Sequence, residues 1–223
     1  MSSSGKRPLF FFLAGFLLFL SFPSAAFSRD DWNYWNEVRL KNRLFHDDLR
    51  LRTGYELWLR DDFSEHAFDN FNTALLYAPN THFEAGPMYS YEHTKGADGK
   101  KSDENRLTLE QSWKWGLSKL RFVDRNRVDY RNFQGAESWR YTNLFRIGFP
   151  VVFFGRDYIP FIEDELFYDT VPNQWNENRA AFGVSTRFFS RFSLAVYYRL
   201  KSDRNDSDWN ETQVIQTTLT LLV

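Results

Sequence analysis

The stretch RLRTGYELWLRDD, residues 50–62, alternates between two kinds of side chain. Leucine, threonine and tyrosine occupy the odd positions from Leu51 to Leu59, while arginine and glutamate occupy most even positions from Arg50 to Arg60. Successive side chains of a β-strand point to opposite faces, so the pattern predicts one apolar and one charged face. The fold then depends on whether the charged face meets external water or the inside of a barrel.

A leader segment precedes this pattern. Lys6 and Arg7 form a positive start, an apolar run of 14 residues follows from Leu9 to Phe22, and small residues in PSAAFS follow it. These three parts are typical of a secretory signal peptide. The run is shorter than the ~20 residues of a spanning helix, which argues against the alternative of an uncleaved anchor. We therefore predict a signal peptide at 1–28 and a mature domain at 29–223.

The composition of the 223 residues combines 19% aromatic with 26% charged residues, and it includes no cysteine. The lack of cysteine excludes disulfides, thiol catalysis and cysteine-ligated zinc. The formal net charge of −1 does not favour a nucleic-acid partner. An ordinary apolar core does not require so many aromatic and charged residues together.

The two-residue period recurs along the mature chain and predicts an all-β fold. Eleven segments carry it: 32–44, 47–61, 67–79, 82–95, 103–116, 118–133, 137–150, 157–170, 174–189, 191–203 and 209–223. They exceed the ~9–11 residues that a tilted strand needs to cross a bilayer. Short connections alternate with longer polar ones, such as 95–103 and 203–209, which is typical of outer-membrane barrels. The sequence thus predicts a single antiparallel up-and-down transmembrane β-barrel of ten to twelve strands.

The two faces of the segments support the barrel over a soluble sandwich. One face is aliphatic and aromatic, and tryptophans near segment ends predict girdles at the membrane interfaces. These are Trp32, Trp35, Trp115, Trp139, Trp175 and Trp209. The other face carries arginine on strand after strand, beside glutamates that a guanidinium can bridge. The predicted lumen network comprises Arg50, Arg52, Glu56, Arg106, Glu110, Arg125, Arg127, Arg131, Arg140, Arg146, Glu163, Glu165 and Arg179.

The mature chain resembles a bacterial family known as domain of unknown function 2490. The likeness is carried by the opening around Trp32–Glu37, LRFVDRNRVDYR at 120–131, SWRYTNLFR at 138–146, PFIEDELFYD at 160–169 and DWNETQ at 208–213. The resemblance implies an outer-membrane β-barrel without established activity or catalytic residues. Unlike many such barrels, whose terminal aromatic residue the assembly machinery recognises, this chain ends in TLTLLV.

The strand count raises one difficulty, because bacterial single-chain barrels have even numbers of strands. If segments 2 and 11 pair antiparallel, ten strands close and segment 1 is left over. Segment 1 could then enter the lumen, cap the periplasmic mouth, or pair with an unrecognised twelfth strand.

A second difficulty is a set of polar residues on the outward register near mid-strand, where facing lipid is costly. The set is Asp124, Asn126, Asn143 and Asp164. Three interpretations are open: a β-bulge that turns Asp124 or Asp164 inward, a lateral interface between protomers, or a wall that does not face lipid.

The sequence contains no strong catalytic or cofactor motif. The histidines (His46, His66, His82 and His93) fall at opposite ends of the predicted barrel, and no nucleotide loop or zinc motif is present. We expect no cofactor, metal or nucleic-acid partner. The expected partners are outer-membrane lipid, the barrel-assembly machinery and a second copy of the chain.

We expect a Gram-negative outer-membrane protein with a structural or binding role, or a narrow porin-like, anion-leaning pore. The alternatives are a periplasmic β-sandwich binding protein and an outer-membrane hydrolase.

Overall fold

The computed structural model describes residues 32–44, 48–96, 98–133, 135–171, 173–205 and 208–223. These residues form twelve β-strands: β1 (Trp32–Arg43), β2 (Leu49–Arg60), β3 (Glu65–Tyr77), β4 (Phe83–Lys95), β5 (Lys101–Leu117), β6 (Leu120–Phe133), β7 (Ala136–Gly148), β8 (Val151–Phe153), β9 (Arg156–Asp169), β10 (Gln174–Phe188), β11 (Phe192–Asn205) and β12 (Asp208–Leu222). No helix within these ranges is long and apolar enough to cross a membrane.

Eleven of the strands close into one barrel. From β1 to β12 each wall strand pairs antiparallel with the next, with β7 next to β9, and β12 then pairs with β1 to close the barrel. β8 pairs only with β9, in a hairpin that turns through Phe154 and Gly155. Both turn residues have positive φ, as a type I′ hairpin turn requires. The predicted all-β barrel of ten to twelve strands is confirmed, and the sandwich alternative does not fit a single closed sheet.

The closure differs from the predicted one. β1 lies in the wall between β2 and β12, and it pairs with β12 in parallel, with Val38 opposite Leu219. The predicted pairing of segments 2 and 11, with segment 1 left over, is therefore wrong. An odd number of strands that run up and down in turn can close only through one parallel pair. The even-number rule led the sequence interpretation away from this solution.

The connections have similar lengths at both ends of the barrel. Two to five residues separate successive strands at each end, so the predicted contrast between short turns and long loops is wrong. Polar stretches that looked like loops continue the strands instead. For example, β5 begins at Lys101 and β11 extends to Asn205, both inside segments that were assigned to loops.

Burial alternates along the strands as the two-residue period predicts. On β5, Glu104, Thr108 and Glu110 are buried, whereas Leu107 and Leu109 between them are 59% and 62% exposed. Exposed tryptophans lie on the outer wall in two bands, Trp113 and Trp115 at one end and Trp139, Trp175 and Trp209 at the other. The barrel thus has a polar interior and an apolar, aromatic exterior.

Candidate functional site in the barrel lumen

The strand register places all thirteen side chains of the predicted lumen network on the inward face. Arg52 is paired with Ala74, Glu110 with Arg127 and Glu165 with Arg179. Ala74, Glu110 and Glu165 are buried, and partnered side chains point to the same face of the sheet. The structure therefore brings together residues from six strands, β2, β5, β6, β7, β9 and β10: Arg50, Arg52, Glu56, Arg106, Glu110, Arg125, Arg127, Arg131, Arg140, Arg146, Glu163, Glu165 and Arg179.

Three arginines in the lumen pair with two buried carboxylates. Arg52 donates to both carboxylate oxygens of Glu110, at 2.7 and 2.9 Å, and Glu110 is almost fully buried. Arg125 and Arg127 both donate to Oε1 of Glu165, each at 2.8 Å. Paired, hydrogen-bonded charges of this kind offset the cost of removing each charge from water. Because the partners lie on strands that are not adjacent, the pairs also link separate parts of the inner wall.

Further ion pairs extend toward the end where β1 begins, and they use carboxylates that the sequence interpretation did not include. Arg131 donates to both oxygens of Glu104 at 2.7 Å, and Arg140 donates to Asp169 at 2.6 and 2.7 Å. Arg106 donates to Glu92 at 2.7 Å. Glu104 and Asp169 alternate in step with predicted lumen residues on their strands, so the same alternation would have found them. Glu92 lies on β4, where no lumen residue was predicted, and it alternates with the exposed Tyr89 and Tyr91.

Toward the opposite end, Glu163 joins two arginines. It accepts hydrogen bonds from Arg146 and, at 2.8 Å, from Arg199, which the sequence interpretation did not select as a site residue. Arg50 lies 3.4 Å from Glu84, which also binds Lys114 at 2.7 Å. The network therefore occupies most of the length of the lumen.

An aromatic stack also faces the lumen. The rings of Trp35 and Trp58 are parallel at 3.9 Å, and Arg179 lies 5.0 Å from the Trp35 ring, which suits a cation–π contact. Trp58 also donates to Glu56 at 2.7 Å. The assignment of Trp35 to an outer girdle is therefore wrong, because its side chain is only 1% exposed. Trp35 is two positions from Glu37 and therefore points to the same inward face, but its position near a strand end favoured the girdle interpretation.

Little space remains among these side chains. A central cavity of about 250 Å³ is lined by ten basic and seven acidic side chains. A second cavity of about 530 Å³ lies at the mouth beside β8. The buried Nε atoms of Arg125, Arg127 and Arg199 have no hydrogen-bond partner among the described residues. The lumen is thus polar, positively biased and largely filled.

The polar set on the outer wall stays on the outward register. Pairing runs without a shift from β5 through β6 and β7 to β9, so the proposed bulge at Asp124 or Asp164 is wrong. The polar groups are instead hydrogen-bonded along the wall. Asn143 donates to Asp124 at 2.7 Å and to Asn126 at 3.1 Å, and Asn178 donates to Asp164 at 2.7 Å. These bonds satisfy part of the hydrogen-bonding capacity of the outward polar groups and so lower the cost of placing them there.

The described histidines lie on two ends of the barrel. His66 contacts Asp69 at 2.8 Å and His93 contacts Asp103 at 2.6 Å, near the end where β1 begins. His82 contacts the Lys114 carbonyl at 2.9 Å near the other end, and His46 lies outside the described residues. No group of three His, Asp or Glu side chains in the described ranges is arranged to hold a metal ion.

Comparisons with known proteins place the chain in a family. The β domain of the Bordetella autotransporter BrkA is similar in fold, with 12% identity, a TM-score of 0.46 and coverage of 75% of this chain and 81% of that one. A bacterial polysaccharide outer membrane secretin has 8% identity, a TM-score of 0.45 and coverage of 74% and 72%. No curated protein matches significantly. The family model described as protein of unknown function (DUF2490) matches residues 32–212, so the chain belongs to this family.

Proposed function

We propose that the chain is an outer-membrane β-barrel, exported through the leader at 1–28 and inserted by the barrel-assembly machinery. The outer wall supports this location. Large apolar side chains are exposed on nearly every strand, including Leu107, Leu109, Phe71 and Trp139. An apolar surface of this extent would aggregate in water, whereas acyl chains solvate it, and the two tryptophan bands suit the membrane interfaces.

We also propose that the lumen is closed to bulk flow, so that the barrel has a structural or binding role. The observation that carries this proposal is the bidentate pair of Arg52 on β2 with Glu110 on β5, which reaches through the lumen past the two strands between them. The stack of Arg179 on Trp35 and Trp58 fills a second level. A barrel with eleven strands has a narrow interior, and long side chains can occlude it.

The location can be tested by fractionation. The mature protein should pellet with the outer membrane, and it should migrate differently on gels before and after boiling, as folded barrels do. Mass spectrometry of the mature N-terminus should give a start near Arg29. Protein that is freely soluble in the periplasm would overturn the membrane location.

The closed lumen can be tested by single-channel recording on refolded protein. The wild type and a control with exposed charges removed, Arg204→Ser with Glu211→Ser, should be silent. A variant with Arg52, Glu110 and Arg179 all changed to serine should conduct, which also proves insertion. Steady anion-selective current through the wild type would overturn the closed lumen. It would favour the narrow pore, because basic side chains outnumber acidic ones around the central cavity.

A further inference from the structure

The cavity at the mouth beside β8 differs in its charge balance from the rest of the lumen. Its volume is about 530 Å³, which suits a small organic molecule. Four arginines line it, Arg39, Arg121, Arg146 and Arg187, against the single carboxylate of Asp157. Elsewhere in the described lumen, arginines and carboxylates are more nearly matched. The mouth therefore has a surplus of positive charge within one concave surface.

The four arginines fall into two pairs. Arg39 is bound to Glu37 and Arg146 to Glu163, so protein contacts hold these two guanidiniums in position. Arg121 and Arg187 have no ion-pair or hydrogen-bond partner among the described residues. Two guanidiniums in one cavity without carboxylate partners retain their full capacity to donate hydrogen bonds.

Neutral hydrogen-bond donors stand beside these arginines. The hydroxyls of Ser185, Ser193 and Thr220 line the same cavity. Toward the centre of the barrel, Arg146, which binds Glu163, and Tyr197, which is 6% exposed, line both this cavity and the central one. Guanidinium forks and hydroxyl donors around one concave mouth match the tetrahedral oxygens of phosphate, whereas a cation would meet net repulsion.

We propose that this mouth of the lumen binds a phosphate-class oxyanion, free or as the headgroup of a small phosphomonoester or lipid, through Arg121 and Arg187. Apolar side chains on one side, among them Val152 and Ile159, can contact an organic portion of the ligand. This inference deepens the proposed binding role. It does not depend on the membrane location, because it can be measured on the folded barrel in detergent.

The test is isothermal titration calorimetry on the full mature chain in a neutral detergent, at constant ionic strength. Inorganic phosphate, glycerol 3-phosphate and micelle-dissolved dioctanoyl phosphatidic acid are the probes. We expect saturable binding of at least one probe, and the probe that binds identifies a free or a lipid source. Arg121→Gln with Arg187→Gln should weaken binding about tenfold or more, since two charge-assisted contacts are lost.

A matched control removes the same charge elsewhere. Arg191→Gln with Arg204→Gln changes two exposed arginines that do not line the cavity, and it should leave the affinity within about twofold of wild type. The absence of saturable binding to any probe would overturn the site. Equal weakening in both double variants would also overturn it, because binding would then follow net charge. Heat-modifiability of each variant verifies that the barrel is folded.

Discussion

Individual charges in the lumen depend on partners that are distant in sequence. Arg52 and Glu110 are 58 positions apart, and Glu165 accepts hydrogen bonds from Arg125 and Arg127, 40 and 38 positions away. Each of these carboxylates is nearly inaccessible to water. The loss of one partner leaves the other charge buried without compensation, whereas removal of both partners does not.

The Arg52–Glu110 pair allows this asymmetry to be measured. Glu110→Ala should lower the free energy of unfolding by about 3–5 kcal/mol, because Arg52 remains charged and only 11% exposed. Arg52→Met combined with Glu110→Leu should recover most of that loss. Urea unfolding in detergent, followed by tryptophan fluorescence, gives both values. A loss below about 1 kcal/mol for the single variant would contradict the description of this pair as a buried, compensated one.

At the scale of elements, the seam between β1 and β12 distinguishes this barrel from an even-numbered one. The parallel register places Val38 opposite Leu219 and Leu40 opposite Leu221. Parallel pairs are slightly less stable per residue than antiparallel ones. Here the seam extends over ten partnered positions, as many as the antiparallel pairing of β1 with β2.

Cysteine cross-linking tests the seam directly, because the chain has no native cysteine. Val38→Cys with Leu219→Cys should form a disulfide within one chain on oxidation, since partnered Cα atoms lie within disulfide reach. Tyr55→Cys with Leu219→Cys is the control, because β1 separates these two positions. Mobility on non-reducing gels gives the result. Efficient cross-linking in the control pair alone would instead support closure through β2 and β12.

The outward polar set on β6, β7 and β9 leads to a prediction of self-association. Asp124 and Asp164 place carboxylates on an outward face that is otherwise apolar, and a second copy could shield them. Asp124→Lys with Asp164→Lys should reduce the oligomer size on native gels. The control Asp69→Lys with Asp103→Lys changes two outward carboxylates on β3 and β5, and it should have no effect on oligomer size. An unchanged oligomer in the first variant would exclude this interface.

At the scale of the whole molecule, the odd number of strands places the start of β1 and the end of β12 at opposite mouths of the barrel. β1 begins at the same end as the connections at 61–64 and 170–173, whereas β12 finishes at the end that carries 44–48 and 189–191. In a barrel with an even number of strands, the first and last strands would begin and finish at the same mouth. Trp32 and Val223 therefore lie at opposite mouths here.

This geometry predicts the accessibility of epitopes in a membrane-inserted barrel. One epitope placed directly before Trp32 and another placed after Val223 should lie on opposite sides of the outer membrane. Antibody labelling of intact cells should reach one of them, and labelling of permeabilised cells should reach both. Labelling of both epitopes, or of neither, in intact cells would contradict the eleven-stranded closure. An epitope in the connection at 61–64 should behave like the one before Trp32.

The period of two residues by itself determined the strands and their two faces. All eleven wall strands coincide with predicted segments, and every residue of the predicted lumen network falls on the inward register. Alternation is a local property, because successive side chains of any strand point to opposite sides. The alternation along one strand therefore suffices to assign Leu51 to the outward face and Arg52 to the inward face without knowledge of any partner strand.

Only the tertiary structure decided how the strands close and which charges meet. The parallel seam, the Arg52–Glu110 pair and the stack of Arg179 on Trp35 and Trp58 all join strands that are far apart in sequence. Such contacts depend on the stagger of the whole barrel, which accumulates over eleven strands and is not encoded in any one of them. The two-residue alternation predicts the face on which a side chain lies, and the closure of the barrel determines which residue it meets inside the lumen.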